Sequence, residues 1–311
     1  MAVNANNLGS GRIQAIFEDR MNNPAFGQAL SHHPYFEYPE KADALTIKLE
    51  IVPQQHLLKS SQEKSSLTPL GANFPRVDLD TAVREGQVQQ FGLATGYPQN
   101  MSGEKLYQRV KNVLAPMLYN KVLSDQDLIL ETMFKGTGSA AQARDTSTVD
   151  LTGQEFDDTA SSPLDVFRDA AHDLAGGETI LFLSHDCVTP LLSHPEIVQS
   201  IIKADVSRGQ VDQVSLVTYL KQRFGLLDVL IGAQMQQQGS QYQSLSKVPL
   251  ISGAACMFNK GSIVSIPFIT NVGGNEWLDN ASNTYMLSYS DWRCLANTDA
   301  SQAVSFTNAL T

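Results

Sequence analysis

The sequence predicts a mixed α+β protein, and three features predict it. Period-two alternation marks 44–52 as a strand, and 84–95 reads as a second strand. A helix-type apolar period runs through 102–135. From 161 onward, helix signals enclose a short, wholly apolar strand, and the C-terminal region then reads as β.

In chain order, residues 1–40 are polar, with one amphipathic helix expected at Ile13–Met21. The prolines of "NNP" (22–24) and "HHPYFEYPE" (32–40) stop any longer element, so this region reads as an extended arm, poorly ordered alone. "ALTIKLEIV" (44–52) and "REGQVQQFGLAT" (84–95) are strands joined by a connection too long for a hairpin turn, so the pair flaps in solvent or lies on a neighbour.

Residues 102–135 form the longest helix, with Ser102 as cap, Gly136 past its end and Pro116 as a kink. Leu106, Val110, Val113, Leu114, Met117 and Leu118 are assigned to its apolar face. The stretch 136–161 is a linker with one short strand. A helix over 161–177 is signalled by Ser162 as cap, Pro163 in the first turn and Gly176 as stop. "TILFLS" (179–184) is a buried strand, "VSLVTYLKQRFG" (214–225) a helix and "DVLIGAQM" (228–235) a strand. "AACMF", "SIVSIPF", "TYMLSYSDW" and "AVSF" are further strands.

Composition narrows the function. A chain of 311 residues with 42% apolar content is globular, and it is long enough for one large domain or two ordinary ones. A net charge of −10 argues against a surface that grips nucleic-acid phosphates. No apolar run spans a membrane, and Met1–Asn7 lacks a signal-peptide pattern. Cys187, Cys256 and Cys294 are odd in number and far apart, which indicates a reducing compartment, with neither a disulfide framework nor a zinc site.

"LFLSHDCVTPLLSHPEI" (181–197) is the one stretch that looks catalytic, because Ser184, His185, Asp186 and Cys187 are consecutive. Consecutive residues in a helical turn point apart and cannot form a nucleophile–base–acid relay. No glycine flanks Ser184 as a nucleophile elbow requires. The stretch reads instead as a strand end followed by two helix starts, with Ser184 and Ser193 as caps and Ser193–Glu196 at capping-box spacing. "GTGSAA" (136–141) follows a helix, not a strand, and so is not a dinucleotide loop. His32–His33 lack further ligands at metal spacing, and the sequons at Asn100 and Asn280 lack a secretory context. No catalytic, cofactor-binding or metal-binding residue is therefore assigned.

The segments 155–201 and 209–236, with the hairpin and long helix before them, resemble tailed-bacteriophage major capsid proteins of the Hong Kong 97-like fold. The resemblance implies an N-terminal arm at 1–35, an extended E-loop hairpin at 44–95, a peripheral domain at 36–43, 96–152 and 273–311 with spine helix 102–135, and an axial domain at 153–272. It implies that the E-loop tip, with Leu57, Leu58, Lys59 and Lys64, touches a neighbouring subunit. It also implies self-assembly into pentamers and hexamers of an icosahedral head around double-stranded DNA, built in the host cytoplasm with scaffold and portal proteins and with a place for a decoration protein. The chain enters its arm directly at Met1, which is taken to mean a separate scaffold or none. Lysine–asparagine cross-linking is not expected, since no buried acid is evident for it. The alternatives weighed are an encapsulin-type compartment shell and a cytosolic α/β hydrolase using Ser184 or Cys187.

Overall fold

The computed structural model describes residues 10–21, 29–51, 82–97, 103–174, 177–204, 211–232, 235–238, 246–249, 251–269, 273–279 and 284–310. Helices are α1 (Ser10–Met21), α2 (Gly103–Arg109), α3 (Ala115–Phe134), α4 (Pro163–Asp173), α5 (His185–Ser193), α6 (Pro195–Ala204) and α7 (Gln213–Phe224). Strands are β1 (Thr46–Ile51), β2 (Ala82–Gln87), β3 (Gln89–Tyr97), β4 (Ser147–Asp150), β5 (Thr179–Leu183), β6 (Asp228–Ile231) and β7 (Met235–Gln238). They continue with β8 (Ser246–Pro249), β9 (Ala255–Asn259), β10 (Ile263–Pro267), β11 (Gly273–Asp279), β12 (Thr284–Asn297) and β13 (Ala303–Thr307).

The chain divides into two compact units. The first comprises residues up to Leu45, Gln87–Leu130 and Val264–Leu295; the second comprises Thr46–Gly86, Glu131–Ile263 and Ala296–Thr311. This differs from the boundaries expected from sequence. The division falls inside α3, and β13 joins the second unit because it pairs with β4 and β9 there.

In the first unit, β12 pairs antiparallel with β11 along Thr284–Ser290 and with β3 along Tyr285–Arg293. Odd-numbered side chains Tyr285, Leu287, Tyr289 and Asp291 turn inward, as the two-residue period of a strand requires. α1 lies against β11. Ile13, Ile16 and Phe17 are buried, and Phe17 stacks on Tyr289 at 4.8 Å. The expectation of a poorly ordered arm is thus corrected over 10–21. Gly274 explains the close approach, since a Cβ there would stand 2.1 Å from the Phe17 ring.

The long helix is interrupted where sequence put its kink. A π turn at Val110–Leu114 separates α2 from α3, immediately before Pro116, which has no N–H to continue an i→i−4 ladder. Leu106, Val110, Leu114 and Leu118 are buried, whereas Val113 and Met117 are about half exposed, at 54% and 47%. The assigned apolar face was therefore too wide, because 113 and 117 share a neighbouring flank of the helix. Ser102, its proposed cap, lies outside the described residues, as does the connection between β1 and β2, including Leu57, Leu58, Lys59 and Lys64.

The strand expected over 84–95 is two strands. β2 pairs with β1 and β3 pairs with β12, and the chain changes sheets at Val88. The apolar positions step from Val88 to Phe91 and Leu93, so the two-residue period slips by one at the change, which a single strand over 84–95 does not allow.

The second unit is built on a five-stranded sheet ordered β4–β13–β9–β5–β6. β5 and β6 are parallel neighbours, joined by the helical excursion α5–α6–α7. Leu181, Leu183, Ala255, Met257, Val304 and Phe306 pack with apolar residues of α4–α7. Phe134, at the end of α3, meets Phe182 at 4.4 Å and Phe258 at 5.6 Å. Side chains of both parities are thus covered, which is why β5 and β9 are buried at every position. Phe156, placed in a linker from sequence, is buried against Phe167 and Phe306.

Gly136 ends α3 at φ +76°, with its own N–H bonded to Met133 O and the Thr137 N–H bonded to Thr132 O. Together these bonds close a Schellman motif.

Candidate functional site

The catalytic-looking stretch lies in the second unit, where β5 ends and α5 begins. Ser184 occupies the N-cap position, but its side chain makes no capping bond. Its hydroxyl donates to Asp186 Oδ1 and lies 3.3 Å from Cys187 Sγ. The other carboxylate oxygen of Asp186 accepts the Ser252 hydroxyl at 2.6 Å and the Gly253 N–H at 3.0 Å.

His185 is exposed, and the hydrogen bonds found at Ser184, Asp186 and Cys187 involve no histidine. Burial pushes the Cys187 thiol up to about 12, with the Ser184 bond opposing it. A thiol in that state is a poor nucleophile. The arrangement anchors residues 252–253, and its hydrogen bonds join Ser184, Asp186, Ser252 and Gly253 without a histidine.

Two other expected caps are also corrected. Ser162 makes no capping bond; its hydroxyl lies 2.9 Å from Glu196 Oε1 and 3.0 Å from Asp165 Oδ2. Glu196 Oε2 instead accepts the Leu164 N–H at 3.4 Å, so the carboxylate meets the start of α4 from a neighbouring helix. Ser193 is the last residue of α5, and its hydroxyl donates to Pro190 O at 3.0 Å. The capping box fails because Ser193 still belongs to the preceding helix and Glu196 is turned to α4. A cap that sequence did not single out is Asp212, whose Oδ1 accepts the Ser215 N–H at 2.7 Å.

Sequence reasoning also missed a clamp beside Asp186. Glu131 Oε2 accepts the Ile251 N–H at 3.0 Å, and Lys135 Nζ donates to Ser252 O at 2.9 Å. Glu131 is 120 residues from Ile251, so no local signal links them.

The first unit holds a second buried polar group. Asp291 Oδ2 accepts from Arg293 Nε at 2.7 Å and Gln126 Nε2 at 2.9 Å, and it lies 3.4 Å from His32 Nε2. The Ser31 hydroxyl donates to Gln126 Oε1 at 3.0 Å, while Asp127 accepts the N–H groups of Leu30 and Ser31. His32 therefore sits in a protein network that fastens the turn at Leu30–His32 to α3 and β12. Among the described residues, no cluster of three or more His, Cys, Asp or Glu could hold a metal ion, and no helix is long and apolar enough to cross a membrane.

The architecture matches that of known structures. A phage-related protein from Bordetella bronchiseptica RB50 aligns with a TM-score of 0.64 at 12% identity, over 95% of this chain and 96% of that one. A virus-like particle from Pyrococcus furiosus aligns at 0.52 and 9% identity, over 94% and 97%. The capsid structure of the cyanophage P-SCSP1u aligns at 0.50 and 9% identity, over 88% and 86%. No family model matches the sequence, and no curated protein sequence does. At these identities the likeness is one of fold, and the fold is the phage-capsid fold that the resemblance implied.

Proposed function

We propose that this chain is a major capsid protein that self-assembles into the icosahedral head shell of a tailed phage. The observation that carries the reading is a structural match over nearly the whole of both chains, to a phage-related protein and a phage capsid. The match spans both units.

In this reading the first unit corresponds to the peripheral domain and most of the second to the axial domain. The connection between β1 and β2 is the E-loop, with Leu57, Leu58, Lys59 and Lys64 lying on a neighbouring copy. Association occurs through extended surfaces of identical chains in pentamers and hexamers. Double-stranded DNA is enclosed without sequence-specific contacts, which accords with a net charge of −10. Scaffold and portal proteins are the expected partners in the host cytoplasm, and the virion is the final location. The hydrolase alternative loses its support in the geometry around Ser184 and Cys187 described above.

Electron microscopy of the purified protein tests the reading. Hollow closed particles tens of nanometres across are expected, and a stable monomer at high concentration would overturn it. Deleting 55–80 is expected to leave soluble capsomers that do not close; full-size particles from that variant would remove the hairpin assignment.

A further inference from the structure

β7 and β8 pair antiparallel over four residues each, from Met235↔Pro249 to Gln238↔Ser246. A two-stranded ribbon of that length has little stability of its own, so its orientation is set by the body, by the strand ends where it joins and by α5, against which β8 lies. One root is Ile231–Gly232, where the Gly232 N–H continues the parallel ladder to Leu183 O at 2.9 Å. The other is Ile251–Gly253, which leads into the central strand β9.

Side chains from two elements converge on that second root. Glu131 takes the N–H of Ile251, Lys135 takes the carbonyl of Ser252, and Asp186 takes both the hydroxyl of Ser252 and the N–H of Gly253. Backbone groups of three consecutive residues are thereby satisfied by side chains instead of by a ladder. Glu131 is also beside the first root, since its Oε1 would lie 3.4 Å from a Cβ built on Gly232. One buried carboxylate, 1% exposed, stands between the two ends of the hairpin segment.

We propose that Asp186, with Glu131 and Lys135, is a positioning group that fixes the β7–β8 hairpin for contact with a second copy of this chain. The clamp itself is geometric. Its use in contact between copies rests on the capsid reading. An apolar root would permit a range of angles, because apolar contacts are non-directional. Charged hydrogen bonds to successive backbone groups permit one.

The test measures amide exchange along β7, β8 and Ile251–Gly253 and images the particles, for the wild type and for Asp186→Ala, Asp186→Asn and Ser252→Ala. In Asp186→Ala, exchange at these amides rises by about tenfold or more, as expected for losing a charged hydrogen bond, while the remaining core stays protected. Closed particles become malformed or fail to form. Asp186→Asn retains an amide oxygen facing Ser252 and Gly253 and restores both properties. Ser252→Ala shows a smaller change in the same direction, and with Asp186→Asn it carries the test if Asp186→Ala does not fold.

Unchanged exchange in Asp186→Ala, or in Ser252→Ala where that variant carries the test, would overturn the clamp. Faster exchange with wild-type particles would overturn its role in contact between copies. If the wild type itself forms no particles, the capsid reading fails and takes that role with it, while the exchange data still judge the clamp.

Discussion

Asp127 and Asp291 belong to one buried network, yet their carboxyl groups are driven in opposite directions. Burial raises Asp127 above the ordinary carboxylate range, and the N–H groups of Ser31 and Leu30 only partly offset it. Burial also opposes ionisation of Asp291, but there the His32 bond, the Arg293 and His32 charges and the Gln126 bond prevail, holding it well below that range. Asp291 therefore contributes stability that is present above the usual carboxylate value near 4 and lost as pH falls toward its own lower value. Asp127 contributes in the opposite sense, favouring the fold at low pH and losing that contribution as pH rises through its raised value.

Substitution separates the two. Asp291→Asn leaves the Arg293 guanidinium, only 8% exposed, without its charge partner and is expected to cost about 3–5 kcal/mol at pH 7. Asp127→Asn loses one acceptor to a backbone N–H and is expected to cost about 1 kcal/mol. Urea unfolding of each variant at pH 7 and pH 4 checks this. Equal losses for the two would contradict the opposed environments.

Gly136 closes α3 in a left-handed conformation, and a Cβ there would lie 2.8 Å from Thr148 Cγ2 and 3.1 Å from Ser305 Cβ. Gly136→Ala is expected to cost about 1–3 kcal/mol, combining torsional strain with the contact. In a Thr148→Ala background the shortest contact is removed, so the steric part should shrink while the contact with Ser305 Cβ and the torsional part remain. Thermal melts of the two single variants and the double variant measure the difference.

The parts of this fold that sequence discloses are those whose cause is local. The apolar run of β5 reads as a buried strand and Ser162-Pro163 marked the start of α4, while Gly176, its expected stop, lies outside the described residues. What stayed hidden depends on partners distant in the chain. Glu196 sits at the start of α4 from another helix, and Glu131 reaches Ile251 across 120 residues, neither of which leaves a periodic trace. The crowding of Ser184, Asp186 and Cys187 is visible in the sequence. Its actual use is not, because Ser252 lies 66 residues away. The change of sheets at Val88 does leave a trace, since Val88 and Phe91 are three residues apart and the period slips between them, but period does not say which strands pair.

The state of Cys187 offers a direct chemical check. With its thiol pushed up to about 12, roughly one molecule in ten thousand carries the thiolate at pH 8. Cys256 is pushed equally far by burial. Neither should react with iodoacetamide in the native protein over the time in which a free cysteine is fully labelled, and both should label in denaturant. Rapid labelling of native Cys187 would restore it as a candidate nucleophile.

Gly274 tests whether α1 is truly part of the core. A Cβ at this position would lie 2.1 Å from Phe17 Cδ2 and 2.9 Å from Ile13 Cγ2, so no larger residue fits while α1 stays seated. Gly274→Val should displace the helix, expose Ile13 and Phe17, and cost about 2–4 kcal/mol, the scale for losing buried apolar side chains. Trypsin should then cut at Arg12 well before it cuts the wild type. If the clash is with the Phe17 ring, shortening that residue makes room. Phe17→Ala combined with Gly274→Ala should therefore lose less than the sum of the two single losses, a coupling that denaturant unfolding resolves. Strict additivity would mean that the two residues do not meet, and that α1 is held elsewhere.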